Sequence, residues 1–273
     1  MTRIALIADL HFGTVPPQLA LQLARDLGHL RPDLIIVAGD LTMRSTRIEF
    51  ADAKSWLESL QAPLLVLPGN HDLPLWSLFE RFTNPFARYS RASGAKLMPV
   101  FEDRQSFILG LNTTASWQPN LRWHEGTARR RDVAAARLLL AAAPAEKARI
   151  VATHHPLLAI EGFPRTRPVR RAARAMAMLA EQKTEMLLSG HIHQTYAVAV
   201  DRPAGAIIAV GAPTALSTRM RGEPNGFWLI EVLPERFQLC LHSFDGAAFT
   251  ATGAQVDFDR TRPLADQSGI VLP

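Results

Sequence analysis

The stretch Val66-Leu67-Pro68-Gly69-Asn70-His71-Asp72 (VLPGNHD) places the strongest constraint on the fold of this chain. An apolar run stops there at a Pro-Gly turn, and an amide, an imidazole and a carboxylate follow at consecutive positions. Gly69 and Asn70 suit a turn because both residue types tolerate the positive backbone angles that turns require. A turn does not explain His71. The pattern predicts a buried strand that ends at a loop carrying reactive side chains.

Other short apolar runs in the chain also end in polar residues that are poor strand formers. Their length and branched aliphatic content predict buried strands. With the run before the Pro-Gly turn, the predicted strands are Ile4–Ala8, Leu34–Ala38, Leu64–Leu67, Ile150–Ala152 and Met186–Leu188. Segments with helical spacing separate them, at Gln18–Leu30, Arg47–Leu60, Arg129–Ala142 and Val169–Gln182. This alternation predicts an α/β layered fold with parallel strands in its first half.

Two of the predicted helices carry signals for their first turn. Ser45 or Thr46 is a candidate N-cap of the second helix, with Glu49 three or four positions further on. Pro168 is expected at or near the first turn of the fourth helix, Val169–Gln182.

The last third of the chain has a different pattern, in which strands follow one another through short connections. The predicted strands there are Tyr196–Val200, Ala206–Val210, Phe227–Leu233 and Phe237–Phe244. Hairpin-length links predict an antiparallel sheet that completes the fold. We assign one domain to residues 1–256 and a polar C-terminal tail to residues 257–273.

The composition excludes several classes of protein. With 273 residues, 48% of them hydrophobic, the chain is long enough to bury a full core. No apolar run reaches the roughly 18 to 20 residues of a membrane-spanning helix. Cys240 is the only cysteine, which excludes an internal disulfide framework and favours a cytoplasmic location. The net charge of +5 suits an anionic substrate, nucleic acid or a membrane surface, although codon bias toward arginine also explains it.

Ionisable and amide side chains gather where the predicted strands end. Five successive strand ends carry Asp9 and His11, Asp40, Asn70 and His71, His154 and His155, and His191 and His193. In an α/β fold, functional groups lie outside the carboxyl ends of the strands, so we expect these side chains to meet. Each one alone has a structural explanation, such as a helix cap or a satisfied core histidine. Six of the nine histidines lie at these ends, which favours a shared function.

The chemistry of this set of side chains favours metal binding. Histidine nitrogens mixed with carboxylate and amide oxygens suit divalent metals such as manganese, iron or zinc. The number of candidate ligands exceeds the three or four of a mononuclear site. Two ions about 3.5–4 Å apart that share a bridging carboxylate would use all of them, and such pairs catalyse displacement at phosphorus.

Five short motifs occur in order at the same strand ends. They are Asp9-Leu10-His11, Gly39-Asp40, Gly69-Asn70-His71-Asp72, Thr153-His154-His155-Pro156 and Gly190-His191-Ile192-His193. This series resembles the ordered motifs of the calcineurin-like metallophosphoesterase family over residues 9–193. The resemblance implies a four-layered αββα sandwich of two mixed β-sheets flanked by helices, with a dinuclear metal centre. The implied ligands are Asp9, His11 and His193 for one ion, Asn70, His154 and His191 for the other, and Asp40 as the bridge.

The resemblance also implies roles for the remaining motif residues. His154 is preferred to His155 because the ligand of the family lies two residues before the proline, and His155 then has a supporting role. His71 would be the catalytic imidazole that stabilises or protonates the leaving oxygen. Asp72 would orient that imidazole or hold it charged.

The implied activity is that of a metal-dependent phosphoric ester hydrolase in which a metal-bridging hydroxide attacks phosphorus. We expect the substrate to be a small organic phosphodiester. The stretch VGAPTALSTRMRGEPNGFWLIEV after the last motif resembles the bacterial branch that contains cyclic-nucleotide phosphodiesterases. An arginine commonly follows the GNHD motif in those enzymes, whereas this chain continues Leu73-Pro74-Leu75-Trp76, which argues against cyclic AMP.

Other functions stay open beside this expectation. A pyrophosphatase of a nucleotide-linked lipid or sugar would work at the membrane surface. A catalytically silent interaction scaffold would lack ligands or the catalytic histidine, and neither is missing. A DNA nuclease would carry a DNA-binding extension, but the 80 residues after His193 resemble sheet completion, so we expect no nucleic-acid partner. A homodimer stays open.

Basic and aromatic side chains near the strand ends are candidates for substrate binding. We predict that substrate phosphate is bound by Arg44, Arg165, Arg167 and Arg170, against the alternatives of a lipid surface and a solvated helix face. An apolar substrate wall or the packed face of a helix would account for Trp76, Phe79, Phe82 and Phe86.

Overall fold

The protein is a sandwich of two β-sheets in a computed structural model that describes residues 1–118, 122–201, 206–261, 267 and 270–271. The sheets stack face to face, and helices cover the outer face of each sheet. This arrangement confirms the predicted four-layered αββα sandwich of two mixed sheets. In the described part of the chain, no helix is long and apolar enough to cross a membrane.

The strands and helices have the following bounds, in chain order. The strands are β1 (Thr2–Ile7), β2 (Leu34–Val37), β3 (Leu64–Val66), β4 (Val100–Glu102), β5 (Ser106–Gly110), β6 (Ala148–Ala152), β7 (Met186–Ser189), β8 (Tyr196–Val200), β9 (Ile207–Gly211), β10 (Gly226–Val232), β11 (Arg236–Phe244), β12 (Phe249–Asp259) and β13 (Ile270–Val271). The α-helices are α1 (Pro17–Leu30), α2 (Arg47–Ser59), α3 (Leu78–Thr83), α4 (Ala87–Ser93), α5 (Arg130–Ala142) and α6 (Ala172–Glu181). Short 3₁₀ turns occur at Asn70–Asp72 and Trp123–Glu125.

The first sheet contains six strands in the order β12-β11-β10-β1-β2-β3. β1, β2 and β3 run parallel, with Ile4 opposite Leu34 and Ile35 opposite Leu64. β10 pairs antiparallel with β1, and β11 and β12 continue the sheet as an antiparallel meander. The parallel half therefore brings the carboxyl ends of β1, β2 and β3 to one edge of the sandwich.

The second sheet contains seven strands in the order β13-β8-β9-β7-β6-β5-β4. β5, β6, β7 and β9 run parallel, while β4, β8 and β13 are antiparallel to their neighbours. The prediction of a single antiparallel sheet after Tyr196 is wrong. β8 and β9 join the second sheet and β10 and β11 join the first, because the connection over residues 212–225 crosses from one sheet to the other.

Side chains on the two faces of β1 show how the layers are held together. Ile4 and Leu6 pack between the two sheets, while Ala5 and Ile7 pack against the helices outside the first sheet. Burial of an aliphatic side chain of this size contributes about 1.5–3 kcal/mol. Both faces of β1 are therefore fixed, and with them the position of Asp9 just beyond its end.

Local signals set the starts of the helices. α2 begins after Thr46, whose hydroxyl accepts a hydrogen bond from Glu49 N at 3.2 Å, while the Glu49 carboxylate accepts from Thr46 N at 3.1 Å. This capping box confirms the predicted cap. α6 begins at Ala172, later than predicted, because Arg171 has φ +67° and interrupts the helical backbone after Pro168.

Strand β12 crosses the predicted domain boundary. β12 ends at Asp259, so a boundary after residue 256 falls inside a strand whose Val256 and Phe258 pack between the sheets. Of the predicted tail, residues 262–266, 268–269 and 272–273 lie outside the described residues. The division into residues 1–256 and 257–273 stays a prediction.

Candidate active site

Seven side chains with lone pairs to donate meet at the edge where the parallel strands of both sheets end. The first sheet contributes four of them through the loops after β1, β2 and β3, and the second sheet contributes three through the loops after β6 and β7. They are the predicted metal ligands, called here the acceptor cluster: Asp9, His11, Asp40, Asn70, His154, His191 and His193. Five of the seven are buried, and the two exceptions are Asn70 and His191, which line the cleft described below.

At one end of the acceptor cluster, Asp9, His11 and His193 face one another. His11 Nε2 lies 3.2 Å from His193 Nε2, and His193 Nε2 lies 3.4 Å from Asp9 Oδ1. His193 Nδ1 donates to the carbonyl of Arg219 at 3.0 Å, which leaves a lone pair on Nε2. Asp9 Oδ1 is buried and makes no hydrogen bond of good geometry to a described residue. These atoms direct their lone pairs toward one another.

At the other end, His154 faces Asn70 and Asp40. His154 Nδ1 donates to the carbonyl of Ala38 at 2.7 Å, so the lone pair of the neutral ring is on Nε2. That nitrogen lies 3.2 Å from Asn70 Oδ1 and 3.4 Å from Asp40 Oδ2. The same Asp40 oxygen is 3.8 Å from His11 Nε2. Asp40 therefore lies between the two halves of the acceptor cluster.

His191 and His155 complete this end of the site. The centroid of the His191 ring lies 5.1 Å from that of His154 and 4.5 Å from that of His155. His155 Nδ1 contacts Thr113 Oγ1 at 2.9 Å, and His155 N donates to the same hydroxyl. His155 is thus tied to Thr113. The preference for His154 over His155 as the ligand stays a prediction, and the contacts of His154 Nε2 support it.

The acceptor cluster has a field that attracts cations. Burial disfavours the charged form of His154, but Asp40 outweighs burial and raises the pKa of that imidazole to about 9. Burial opposes ionisation of Asp40, yet His154 and His71 hold the pKa of this carboxyl well below its usual range. Burial lowers the pKa of His191 to about 3 and that of His11 to about 4. At neutral pH and without a metal, the ionised carboxylate of Asp40 and a protonated His154 thus lie beside the neutral imidazoles of His11 and His191.

The side chains of the acceptor cluster fit divalent metal ions. Imidazole nitrogens and carboxylate or amide oxygens converge, and buried acceptors that face one another repel unless a cation lies between them. A proton on His154 Nε2 offsets the repulsion only between His154, Asp40 and Asn70, and not at the end with Asp9, His11 and His193. Nitrogen and oxygen ligands without a thiolate suit manganese, iron or zinc.

Backbone strain is concentrated in the same residues. Nine described non-glycine residues have φ in the left-handed region, and five of the nine belong to the acceptor cluster, with φ between 52° and 71°. These five are Asp9, His11, Asp40, His191 and His193. Such conformations cost on the order of 1–3 kcal/mol each and persist where the surrounding structure enforces them. Their coincidence with the acceptor cluster favours a functional rather than a packing role.

Two glycines allow the loops of the acceptor cluster to touch. A Cβ on Gly69 would lie 2.0 Å from Asp40 Oδ1, and a Cβ on Gly190 would lie 2.8 Å from Asp9 Oδ2. Both distances are below any normal contact, so a side chain at either position would displace a carboxylate.

His71 is held rigidly beside the acceptor cluster. Its Nδ1 donates to the carbonyl of Met43 at 2.7 Å, so its Nε2 accepts from Arg219 Nη1 at 3.3 Å. The backbone N of His71 donates to Asp40 Oδ1 at 2.8 Å. Its ring lies edge-on to that of His11, with centroids 4.8 Å apart. One nitrogen of His71 is therefore fixed on Met43, and the other faces the cleft, where Arg219 contacts it.

The contacts of Asp72 differ from the predicted contact with His71. Its buried carboxylate accepts hydrogen bonds from the backbone N atoms of Gly69, Leu41 and Thr42 at 2.9, 3.1 and 2.9 Å, and from Thr42 Oγ1 at 3.0 Å. The Nδ1 of His71 is held by the carbonyl of Met43 instead, so the contacts do not support the predicted role of Asp72 in orienting that imidazole. Adjacent residues of a 3₁₀ turn point in different directions, which explains the difference. Asp72 joins the loop after β2 to the loop after β3.

A cleft of about 500 Å³ opens onto the acceptor cluster, a volume typical of sites for small organic ligands. Its floor includes Asp40, Asn70, His71, His191 and His193. Four arginines lie around it, called here the arginine rim: Arg165, Arg167, Arg219 and Arg221. The cleft is also lined by His124 and Glu125, and Glu125 Oε1 lies 3.8 Å from Arg167 Nη1.

The structure separates the four predicted substrate contacts into two pairs. Arg165 and Arg167 line the cleft, whereas Arg44 and Arg170 do not. Val169 is buried and turns the chain away, and the backbone of Arg170 then pairs with that of Thr127. The cleft lining supports the prediction of substrate contact for Arg165 and Arg167 but not for Arg44 and Arg170, and the contact stays a prediction.

The aromatic residues after the His71 loop do not form an apolar wall. Trp76 is 82% exposed, Phe79 and Phe82 are also exposed, and Phe86 is 8% exposed. None of the four lines the cleft. The prediction of a substrate wall is wrong, and so is the prediction of one packed helix face. Phe79 and Phe82 are exposed on α3, which ends at Thr83, and Phe86 is buried at the N-cap of α4.

Four ionisable residues of the cleft were not among the sequence candidates: Arg219, Arg221, His124 and Glu125. Arg219 and Arg221 lie on the connection after β9, which runs parallel to β7 and ends at the same edge. Applying the strand-end rule to the predicted strand Ala206–Val210 would have found both arginines. The short 3₁₀ turn that carries His124 and Glu125 has no comparable signal.

The fold and the acceptor cluster define a class of protein, the metal-dependent phosphoester hydrolases with parallel strands that end at the metal site. Residues 2–195 match the model of the calcineurin-like phosphoesterase family, and the chain belongs to this family. The resemblance of the five motifs is thereby confirmed, and the protein is a metal-dependent phosphoester hydrolase.

Individual relatives resemble the chain over different lengths. A probable cyclic nucleotide phosphodiesterase of Synechococcus sp. is 28% identical over 246 residues, which cover 85% of this chain and 88% of that protein. The 3′,5′-cyclic adenosine monophosphate phosphodiesterase CpdA of Escherichia coli is 30% identical over 173 residues, which cover 59% of this chain and only 54% of that enzyme. In fold, the chain is similar to a dimetal phosphatase of Danio rerio, with a TM-score of 0.65 and 11% identity over 89% of this chain and 96% of that one.

Proposed function

We propose that the chain binds two divalent metal ions in the acceptor cluster and hydrolyses a small organic phosphodiester. The observation that carries this proposal is the position of Asp40, whose Oδ2 lies 3.4 Å from His154 Nε2 on one side and 3.8 Å from His11 Nε2 on the other. A carboxylate between two sets of acceptors suits a bridge between two ions.

The ligands divide into two sets around that bridge. One ion would be held by Asp9, His11 and His193, the other by Asn70, His154 and His191, with Asp40 shared. When bound, such ions lower the pKa of a shared water toward ~7 and offset the negative charge on phosphoryl oxygens. The second nitrogens of His154 and His193 already donate to the carbonyls of Ala38 and Arg219, which fixes the orientation of both rings.

His71 would act on the leaving oxygen. Its Nδ1 stays fixed on Met43, so any proton that it exchanges with substrate passes through Nε2, which faces the cleft. Arg219 Nη1 occupies a position next to that nitrogen and would meet the same region of the substrate. Asp72 would not touch substrate, and its four hydrogen bonds keep the loop of Asn70 and His71 in place.

Two observations support a phosphodiester as the substrate. The cleft of about 500 Å³ leaves room for groups on both sides of a phosphate, and the relatives of Synechococcus and Escherichia coli carry the names of phosphodiesterases. These names also make a cyclic nucleotide the second candidate substrate. The absence of an arginine at Leu73–Trp76 no longer weighs strongly against it, since Arg219 reaches His71 from another loop.

A substrate screen with reconstituted protein tests this proposal. The chelator-treated chain is loaded with Mn²⁺, Fe²⁺ or Zn²⁺ and assayed with bis(p-nitrophenyl) phosphate, p-nitrophenyl phosphate and 3′,5′-cyclic AMP. We expect two ions per chain by elemental analysis and faster turnover of the diester than of the monoester. At most one ion, with no second on titration, would contradict the dinuclear centre, and turnover of the monoester alone would contradict the diester.

Two further proposals concern the location and the partners of the protein, and its oligomeric state is a third question. We keep a cytoplasmic location, supported by the single cysteine, Cys240. We propose no nucleic-acid partner, because the residues after His193 form strands of the two sheets, in the described ranges, rather than an extension. Cell fractionation and a filter-binding assay with DNA and RNA test the first two. The homodimer stays open and is decided by light scattering.

A further inference from the structure

The arginine rim carries positive charge that the protein itself does not neutralise. Arg167 is paired with Glu125, whose carboxylate also lies 3.6 Å from Arg122 Nη1. No carboxylate of the described residues lies within ion-pair distance of Arg165, Arg219 or Arg221. Three unpaired guanidinium groups therefore face one cleft.

These three arginines interact with one another. Burial, and then the charges of Arg165 and Arg219, lower the pKa of Arg221. Arg165 comes from the loop after β6, while Arg219 and Arg221 come from the connection after β9, so two separate loops bring the like charges together. Like charges at one place destabilise the free protein, and an anion between them removes that cost.

Several other arginines that the chain partly buries are paired with acids, although Arg149 donates to the carbonyls of Gln182 and Ala143 instead. Arg3 Nη2 lies 2.8 Å from Glu231 Oε1, and Arg260 Nε lies 2.7 Å from Glu185 Oε2. Arg88 likewise pairs with Glu80. A general shortage of acidic residues therefore does not explain why Arg165, Arg219 and Arg221 have no carboxylate partner.

Arg219 connects this charge to the proposed chemistry. Its carbonyl accepts from His193 Nδ1 at 3.0 Å, its backbone N donates to Ser217 Oγ at 3.0 Å, and its Nη1 contacts His71 Nε2 at 3.3 Å. The rim is thus adjacent to the acceptor cluster. A ligand that reaches one can reach the other.

We infer that Arg165, Arg219 and Arg221 form a second anion site, which binds a phosphate-type group other than the one at the acceptor cluster. This inference rests on the proposed function, since it assumes two metal ions at the acceptor cluster. Those ions would already compensate the single negative charge of a phosphodiester, so the arginines are left for a second anionic group. Guanidinium groups bind phosphate oxygens through paired N–H donors. The substrate class that fits both sites is an organic diester with a second anionic phosphate beside the scissile one, as in a pyrophosphate linkage.

The corresponding reaction balances without another reactant. Water adds to one phosphorus, the bridging P–O bond breaks, and the leaving phosphate takes the electron pair of that bond. The products are two phosphomonoesters and the proton released from water. A free phosphate ion is the other source of the same chemistry, and the experiment separates the two.

The test compares a doubly charged with a singly charged diester on the metal-loaded full chain. P¹,P²-di(adenosine-5′) pyrophosphate is the doubly charged substrate, and bis(p-nitrophenyl) phosphate is the singly charged one. The double variant Arg165→Gln/Arg221→Gln removes two rim charges and leaves Arg219 on His71. We expect the kcat/KM ratio of the doubly to the singly charged substrate to fall at least about tenfold.

A matched control removes two charges elsewhere. Arg47 and Arg174 are exposed and outside the cleft, so Arg47→Gln/Arg174→Gln should leave the ratio unchanged. An equal fall in both double variants would overturn the inference, since it would show only a long-range effect of net charge. An unchanged ratio in Arg165→Gln/Arg221→Gln would also overturn it while leaving turnover of bis(p-nitrophenyl) phosphate, and hence the proposed function, intact.

Calorimetric titration with inorganic phosphate identifies the source of the anion. Binding of phosphate that weakens in Arg165→Gln/Arg221→Gln, together with preference for the pyrophosphate substrate, supports a second group of the substrate. The same weakening without that preference supports the anion site but assigns it to free phosphate. Phosphate binding that is equal in wild type and variant overturns the site.

Discussion

The acceptor cluster and the arginine rim lie on the same cleft but are built in opposite ways. The cluster is mostly buried and strained in its backbone, and carbonyls behind two of its four imidazoles, His154 and His193, fix those rings. Three of the four rim arginines are exposed, and only one of the four pairs with an acid. The chemistry of this site is therefore held rigid while its recognition of substrate is left adjustable. Variants of the cluster should abolish turnover, and variants of the rim should tune it.

The largest effect is expected for the carboxylate at the centre of the acceptor cluster. Asp40→Ala should lose most of both metal ions and lower kcat/KM by ~10³-fold or more, because metal-ion catalysis contributes several kcal/mol. Elemental analysis and steady-state kinetics measure both. Asp52→Ala, which removes an exposed carboxylate, is the control. Full metal content in Asp40→Ala would show that Asp40 is not the bridge.

A smaller loss, with a different signature, is expected for the imidazole beside the cluster. His71→Ala should keep its metal and lose turnover by ~10²- to 10⁴-fold, the usual contribution of general acid–base catalysis. The loss should be greatest for alkyl phosphodiesters, since an alkoxide needs the proton more than a nitrophenolate does. Near-normal turnover of an alkyl ester by this variant would remove His71 from the mechanism.

Asp72 sharpens the comparison because it is buried like the cluster but touches no substrate. Asp72→Asn should lower the free energy of unfolding by about 1–3 kcal/mol, since an amide replaces an acceptor of four hydrogen bonds. Turnover should fall about 10- to 100-fold, as for residues that orient ligands. The loss should be the same for alkyl and nitrophenyl esters. A leaving-group dependence like that of His71→Ala would restore the direct role that the structure does not support.

The smallest effects are expected at the exposed arginines. Arg165→Gln/Arg167→Gln should raise KM for anionic substrates a few-fold at low salt, with kcat nearly unchanged, because a rim charge contributes uniform binding. The increase should shrink at higher salt, where exposed charges are screened beyond about 10 Å at 0.1 M. Arg170→Gln/Arg171→Gln should leave KM unchanged at any salt. Equal KM values for the two variants would erase the distinction between cleft and helix arginines.

The sequence predicted the acceptor cluster because its position follows from topology. Asp9, Asp40 and His154 each come just after a strand whose apolar run is visible in the sequence, and parallel strands end at one edge. The capping box of Thr46 and Glu49 is similarly local. Signals of this kind can be recognised from residues that are close together in the sequence.

The rest depends on distant partners and could not be read in the same way. Whether β8 and β9 join the first or the second sheet is decided by packing across the molecule, not by their alternation. The direction of the Asp72 carboxylate depends on Leu41 and Thr42, which are about thirty residues away. The strand-end rule could have placed Arg219 near the cleft, but its contact with His71, 148 residues away, has no signal in the neighbouring sequence.

The division of the ligands between two sheets has a consequence for how the protein folds. His154 Nδ1 donates to Ala38 O across a separation of 116 residues, and His191 N donates to Asp9 Oδ2 across 182. Contacts between such distant positions form late, because the loop-closure entropy must be met first. Each proposed ion takes ligands from both sheets, so metal can bind only to a chain whose sheets have already docked. The two proposed ions would then act as cross-links that stabilise the docked state by mass action, and metal uptake would mark the last step of folding.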